Sequence, residues 1–202
     1  MKITSLLQAS VAAIGLLAPS ADARAHRRAH YGITIRRNVV ANETTGNTLI
    51  PVVVGGPQDL FVPNLVRAAV GDVVQFQFSN GNHTVTQSEE SEGCTPLQAK
   101  DPSAVHSGHI PFQDGQVEVG TFSMVVQSTE PMFLYCATGP HCQTGQVMVI
   151  NPTTDAQLAN YAKVSQSTEA SVDGTHVAGG IVSKIALDKA AFVPAPPEEE
   201  GA

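Results

Sequence analysis

From Val74 to Phe78 the chain alternates apolar and polar residues without a break, the signature of a half-buried β-strand. Comparable β-rich runs cover Tyr31 to Arg36, Leu49 to Val54, His83 to Gln87, Gln116 to Gln127, Met132 to Cys136 and Gly145 to Ile150. Turn residues separate them, among them Gly55-Gly56-Pro57, Gly71-Asp72 and Ser79-Asn-Gly-Asn82. Phe61 to Val70 reads as a short extended piece leading into the turn at Gly71. Ser88 to Asp114 reads as a polar loop, broken by Gly93, Pro96, Pro102, Gly108 and Pro111. About seven short strands spaced in this way predict an all-β chain, an antiparallel sandwich with Greek-key connections.

The two ends have a different character. Lys2 followed by the apolar stretch Leu6 to Leu17 and small-residue sites at Ala21-Asp-Ala23 and Ala23-Arg-Ala25 reads as a signal peptide over residues 1–25. The apolar stretch is too short to span a bilayer. Residues 26–152 are then the expected domain and 153–202 a C-terminal extension. Thr153 to Gln166 has helical propensity and opens with Thr-Thr-Asp, a helix start. Beyond it the extension reads as a flexible tail, with one more strand over Thr175 to Ile185 as the alternative. Pro194 to Ala202 lacks the hydrophobic tail of a lipid-anchor signal, so a free secreted product is expected. Asn42-Glu-Thr44 and Asn82-His-Thr84 are glycosylation sequons, in keeping with that route. The net charge of -7 argues against nucleic acid as a partner, because phosphate neutralisation needs a basic surface.

The chemistry is concentrated in Tyr135-Cys136-Ala-Thr-Gly-Pro-His141-Cys142-Gln-Thr-Gly-Gln146, which lies between two expected strands. A strand end, a tight loop and a strand start can bring Cys136, His141 and Gln146 round one point. His83 opens an earlier strand and supplies a second imidazole. Two His and one Cys with a weak axial fourth group form the donor set of a blue-copper site. The chain has three cysteines, and in an oxidising compartment the odd one needs a role. Should Cys94 pair with Cys142, Cys136 is left as the thiolate and the bridge staples the two loops that carry the ligands. Met148 shares a strand face with Gln146 and is the rival axial donor, although its spacing from His141 fits less well. His106 and His109 flank a small turn and read as an exposed polar loop, with a second metal site as the alternative. His176 reads as solvated. His26, were it the first residue after cleavage, could chelate copper through its amine and ring, a reading nothing else in the chain supports.

This loop resembles that of the cupredoxins, in particular the phytocyanin pattern Cys-x4-His-Cys-x3-Gly-(Met or Gln). Residues 31–152 are similar to the fungal extracellular cupredoxin-like proteins often called extracellular serine-rich proteins. The shared segments are Phe61-Val-Pro-Asn, Gly71-Asp-Val-Val-Gln-Phe-Gln-Phe, Asn82-His-Thr-Val-Thr-Gln-Ser, Cys94-Thr-Pro-Leu, Tyr135-Cys136, His141-Cys-Gln-Thr-Gly and Val149-Ile-Asn-Pro. The resemblance implies a cupredoxin-like Greek-key β-sandwich with a short C-terminal helix and flexible tail. It also implies one type 1 copper held by His83, Cys136 and His141, and a Cys94–Cys142 disulfide. Where the fungal group usually has an axial Met, this chain has Gln146, as in the stellacyanin branch. An amide oxygen is a harder donor than a thioether and lowers the reduction potential. The chain is also less Ser-rich than the group's name suggests.

The function implied is that of a one-electron carrier, with His141 under an apolar patch as the electron exit. The alternative is an extracellular copper-binding or cell-wall or host-interaction module without redox turnover. An enzyme is not expected: a multicopper oxidase needs His-x-His pairs, which are missing, and a blue-copper site leaves no open position for substrate. Expected partners are a redox protein or a small-molecule electron donor or acceptor, met by a monomer with no membrane span.

Overall fold

The computed structural model describes residues 46–194. The expected signal peptide, the strand at Tyr31–Arg36, His26 and the Asn42 sequon lie outside the described residues. Eleven strands and one helix are described. In chain order they are β1 (Leu49–Gly55), β2 (Leu60–Val62), β3 (Leu65–Val66), β4 (Val73–Phe78), β5 (Gly81–His83), β6 (Thr86–Ser88), β7 (Ile110–Phe112), β8 (Glu118–Val125), β9 (Met132–Tyr135), β10 (Val147–Ile150), α1 (Ala156–Gln166) and β11 (Ile181–Ala186).

The alternation in β4 does what its pattern requires. Val74, Phe76 and Phe78 point inward at 0% exposure, each contributing about 2 kcal/mol of apolar burial. They meet Val52 and Val54 of β1, Phe122 and Met124 of β8, and Leu134, Met148 and Ile150 from the facing sheet. One sheet runs β11-β8-β4-β1-β2 and the other β3-β10-β9-β6, with β5 and β7 forming a separate pair. The result is the expected sandwich, with two exceptions to its antiparallel character. β1 pairs β4 in parallel, as Leu49 with Val73 and Val54 with Phe78, and β10 pairs β3 in parallel. The chain leaves the first sheet after β2, crosses to the second as β3, and returns beside β1. A return by way of the other sheet lets neighbours run in the same direction.

Two local expectations change, and the alternative strand after α1 is present. The run His83 to Gln87 is two strands: β5 pairs β7 while β6 pairs β9, so Thr84 and Val85 turn a corner between sheets. The polar loop Ser88 to Asp114 contains β7. The stretch after α1, read as a flexible tail or one more strand, holds β11, laddered antiparallel to β8 from Ile181↔Ser123 to Ala186↔Glu118.

Both outer faces are covered. α1 lays Tyr161 over Phe133, Tyr135, Val147 and Val149 of the second sheet, and the Cys94–Cys142 bridge lies in the same cluster. Ala190, Ala191 and Phe192 cover Val53 and Val119 on the first sheet, where Ala191 N–H donates to Gln77 Oε1 at 2.6 Å. That contact explains why Gln77, an outward position of β4, is buried. No helix among the described residues is long and apolar enough to cross a membrane.

Candidate metal centre

Cys136 is the first residue after β9, and its N–H donates to Gln146 O at 3.0 Å. The loop between them is closed by its own backbone: His141 N–H to Thr138 O, Thr144 N–H to Pro140 O and Gln146 N–H to His141 O. Gly145 adopts φ +110° at the end of that turn, a left-handed conformation that favours glycine. The loop therefore presents Cys136, His141 and Gln146 to one side. His83 reaches the same point from the end of β5, held by its pairing with Ile110 of β7.

One ligand atom from each of His83, Cys136 and His141 lies within 4.8 Å of the other two. Cys136 Sγ is 3.8 Å from His83 Nδ1 and 3.6 Å from His141 Nδ1. Gln146, fully buried, places Oε1 at 3.1 Å from His83 Nδ1. Met148, the rival, is buried in the main apolar cluster. The cysteines divide as the resemblance implies: Cys94 and Cys142 are bridged, and Cys136 is a free, buried thiol.

The surroundings hold this geometry. His83 Nε2–H donates to Asn80 O at 2.8 Å, which leaves Nδ1 as the lone-pair nitrogen facing the sulfur. Ring and loops are in close contact here. A Cβ on Gly55 would fall 2.5 Å from His83 Nε2, and Gly55 sits at φ +99°. Burial opposes a charge on His83, but the Cys136 sulfur and the Asn80 carbonyl outweigh it and hold the ring above its ordinary value. Thr84 N–H donates to Cys136 Sγ at 3.3 Å, and Thr84 Oγ1 accepts Ala137 N–H at 2.8 Å. The corner between β5 and β6 is thereby tied to the ligand loop.

A borderline-soft set of one thiolate and two imidazoles, with an amide oxygen beside it, suits copper by its donor chemistry. Of the four side chains only His141 reaches solvent, at 19% exposure, against none for His83. The carboxylate of Asp59 faces its Nε2 at 3.8 Å.

His106 and His109 are not a simple exposed loop. His106 is buried, with Nδ1 3.0 Å from Thr86 Oγ1 and Nε2 3.4 Å from Asp173 Oδ1. His109 Nε2–H donates to Asp173 Oδ2 at 2.7 Å, while its Nδ1 accepts from Asn82 Nδ2 and Thr138 Oγ1, each at 3.2 Å. Asp173 thus ties the chain after α1 to the ligand loop. Asn82 is exposed, and Thr84 of the same sequon is buried. Thr84, Asp59, Asn80 and Asp173 carried no ligand-like signal in the sequence, because their partners are distant in the chain or are backbone atoms.

Burial holds the His106 pKa below its ordinary 6.5, with Asp173 acting in the opposite sense. The unfolded chain therefore binds this proton more readily than the folded one. The stability His106 contributes is complete above pH 6.5 and is lost as pH falls through its folded value. His83, raised, contributes in the opposite direction. Denaturant midpoints of the copper-free protein at pH 7.5 and 5.5 isolate the former: His106→Gln is expected to lose less stability on acidification than the unaltered chain. An equal or larger loss would contradict the assignment.

No family model matches the chain. Its sequence relatives include an "Extracellular serine-rich protein" from Arthroderma benhamiae, 33% identical over 135 residues, which cover 65% of this chain and 50% of the relative. Another, from the same organism, is a "Probable GPI-anchored cupredoxin-1", 32% identical over 92 residues, covering 46% and 44%. The chain spans about half the length of the curated relatives it matches, or less. Similar solved structures include auracyanin A from Chloroflexus aurantiacus (12% identity, 52% of this chain, 98% of that one, TM-score 0.39). Plastocyanin from Dryopteris crassirhizoma is another (18%, 50%, 96%, 0.36). By sequence the chain is thus related to fungal extracellular cupredoxin-like proteins, as its separated motifs imply.

Proposed function

We propose that this chain is a secreted cupredoxin that holds one copper ion and carries single electrons. In this reading His83 Nδ1, Cys136 Sγ and His141 Nδ1 would hold the ion, with Gln146 Oε1 as a weaker fourth donor. The observation that carries it is the convergence of two Nδ1 atoms on one buried, unbridged sulfur. Bound in such a set, copper would supply a one-electron couple whose potential depends on the fourth donor.

The rest is the work of the chain. Asn80 O fixes the His83 tautomer so that Nδ1 is free to ligate. Thr84 N–H stabilises negative charge on Cys136 Sγ. The hydrogen-bonded loop 136–146 and the Cys94–Cys142 bridge resist rearrangement between charge states. His141, the one partly exposed side chain of the four, would be the edge through which an electron enters or leaves. Its donor and acceptor are a redox protein or a small molecule outside the cell.

Protein-film voltammetry of copper-loaded protein tests this, with a reversible one-electron wave as the expected result. Gln146→Met is expected to raise the potential, since a thioether stabilises the oxidised site less than an amide oxygen. No change would mean that Gln146 is not axial. Tight copper binding without a reversible wave would favour a copper-binding module over an electron carrier.

A further inference from the structure

We infer that Asp59 is a positioning residue of this site: its carboxylate spans the outward Nε2 atoms of both histidines and sets a fixed negative charge at the solvent-facing ligand edge. The inference rests on the metal reading above. Oδ1 lies 3.6 Å from His83 Nε2 and Oδ2 lies 3.8 Å from His141 Nε2. One carboxylate thereby bridges two rings whose centroids are 5.0 Å apart and tilted by 38°. These are charge contacts rather than hydrogen bonds.

The backbone is arranged for this placement. Asp59 adopts φ +48°, and its N–H donates to Gly56 O at 3.1 Å within the turn between β1 and β2. The left-handed region is unfavourable for most side chains and is best tolerated by Asp and Asn. The same turn is pressed onto the His83 edge at Gly55, where a Cβ has no room. His83 Nε2 already has Asn80 O as its hydrogen-bond acceptor. His141 Nε2 has no hydrogen-bond partner among the described residues, so Asp59 is the group that acts on it. Ligating histidines are commonly oriented by a carboxylate or carbonyl on the far nitrogen, which fixes the tautomer and strengthens the donor.

Two consequences follow from charge. A carboxylate at Nε2 favours the Nε2–H tautomer, which leaves His141 Nδ1 free to ligate. It also stabilises the more positive, oxidised state of the site over the reduced one. Asp59 is 45% exposed, so added salt screens the effect.

The test is Asp59→Asn, which removes the charge and keeps both the size and the tolerance for φ above zero. Glu130→Gln is the control, an exposed acid in the loop before β9, at the opposite end of that strand from Cys136. Cu(II) affinity is read by competition with a chelator, the potential by voltammetry, and the His141 tautomer by long-range proton–nitrogen NMR on copper-free protein. Asp59→Asn is expected to lower Cu(II) affinity about 10-fold. If that loss falls wholly on the oxidised state, it raises the potential by about 59 mV. High salt should shrink the difference, and the Nε2–H population of His141 should fall. An unchanged affinity, potential and tautomer in a folded Asp59→Asn variant would overturn the inference, as would an equal shift in Glu130→Gln. If the unaltered protein binds no Cu(II), the metal reading fails. The copper-free tautomer then decides Asp59 by itself: a change upholds the positioning role and no change ends it.

Discussion

Cys136→Ser is expected to abolish the thiolate-to-copper charge-transfer band and to weaken Cu(II) binding by at least about 100-fold, the upper end of the loss seen when an outer-shell partner is removed. The sulfur is the only soft donor in the cluster and the point on which the other donors converge. His83 Nδ1 and His141 Nδ1 lie 3.8 and 3.6 Å from it, and Thr84 N–H is directed at it. A serine hydroxyl fits the same space and can accept the Thr84 N–H, but it stays neutral at working pH and is a hard donor. What remains is two imidazoles and an amide oxygen, a set without the covalency that gives the band its intensity. Thermal unfolding of the copper-free variant separates lost binding from lost folding, and its midpoint should stay close to that of the unaltered protein. A Cys136→Ser protein that keeps the band would place the ligand elsewhere.

The second large effect concerns stability. Replacing Cys94 and Cys142 together by alanine is expected to cost about 4 kcal/mol, because the bridge closes a loop with a sequence separation of 48 in the unfolded chain. For a domain of this size that corresponds to a fall in Tm of about 10 °C. The bridge also ties Cys142, next to His141, to the loop that follows β6. Both sulfurs are buried in the cluster under Tyr161. Copper binding by the double variant is therefore expected to weaken as the ligand loop gains freedom. Calorimetry of oxidised and double-alanine protein checks the first effect. A Tm within about 2 °C of the original would show that other contacts hold the loops.

The alternation of β4 and the approach of Cys136, His141 and Gln146 to one point were legible in the sequence because each is a local pattern. Val74, Phe76 and Phe78 alternate because one sheet face is buried. Cys136, His141 and Gln146 converge because the loop between β9 and β10 is short. What was not legible depends on contacts made far along the chain. β7 is only Ile110-Pro-Phe112, too short and too close to breakers to register, yet it carries the pairing that fixes His83. β11 was legible only as the alternative to a tail, because it is an edge strand, almost fully exposed and held by its ladder with β8. His106 was read as exposed, and it is buried by Asp173 and the segment around Gly174, where a Cβ would fall 2.4 Å from its ring. The parallel pairing of β1 with β4 follows from a passage through the second sheet, and no local pattern encodes it. Asp59 belongs with these, being marked in the sequence only as a turn residue before Leu60-Phe61.

Titration of the purified, oxidised protein with Cu(II) decides whether His83, Cys136 and His141 form a copper site. The predicted result is one equivalent of copper by metal analysis, with an intense visible charge-transfer band that grows in step with it and stops at that point. A protein that stays colourless and retains no copper after gel filtration at equimolar Cu(II) would mean that these three residues form no copper site.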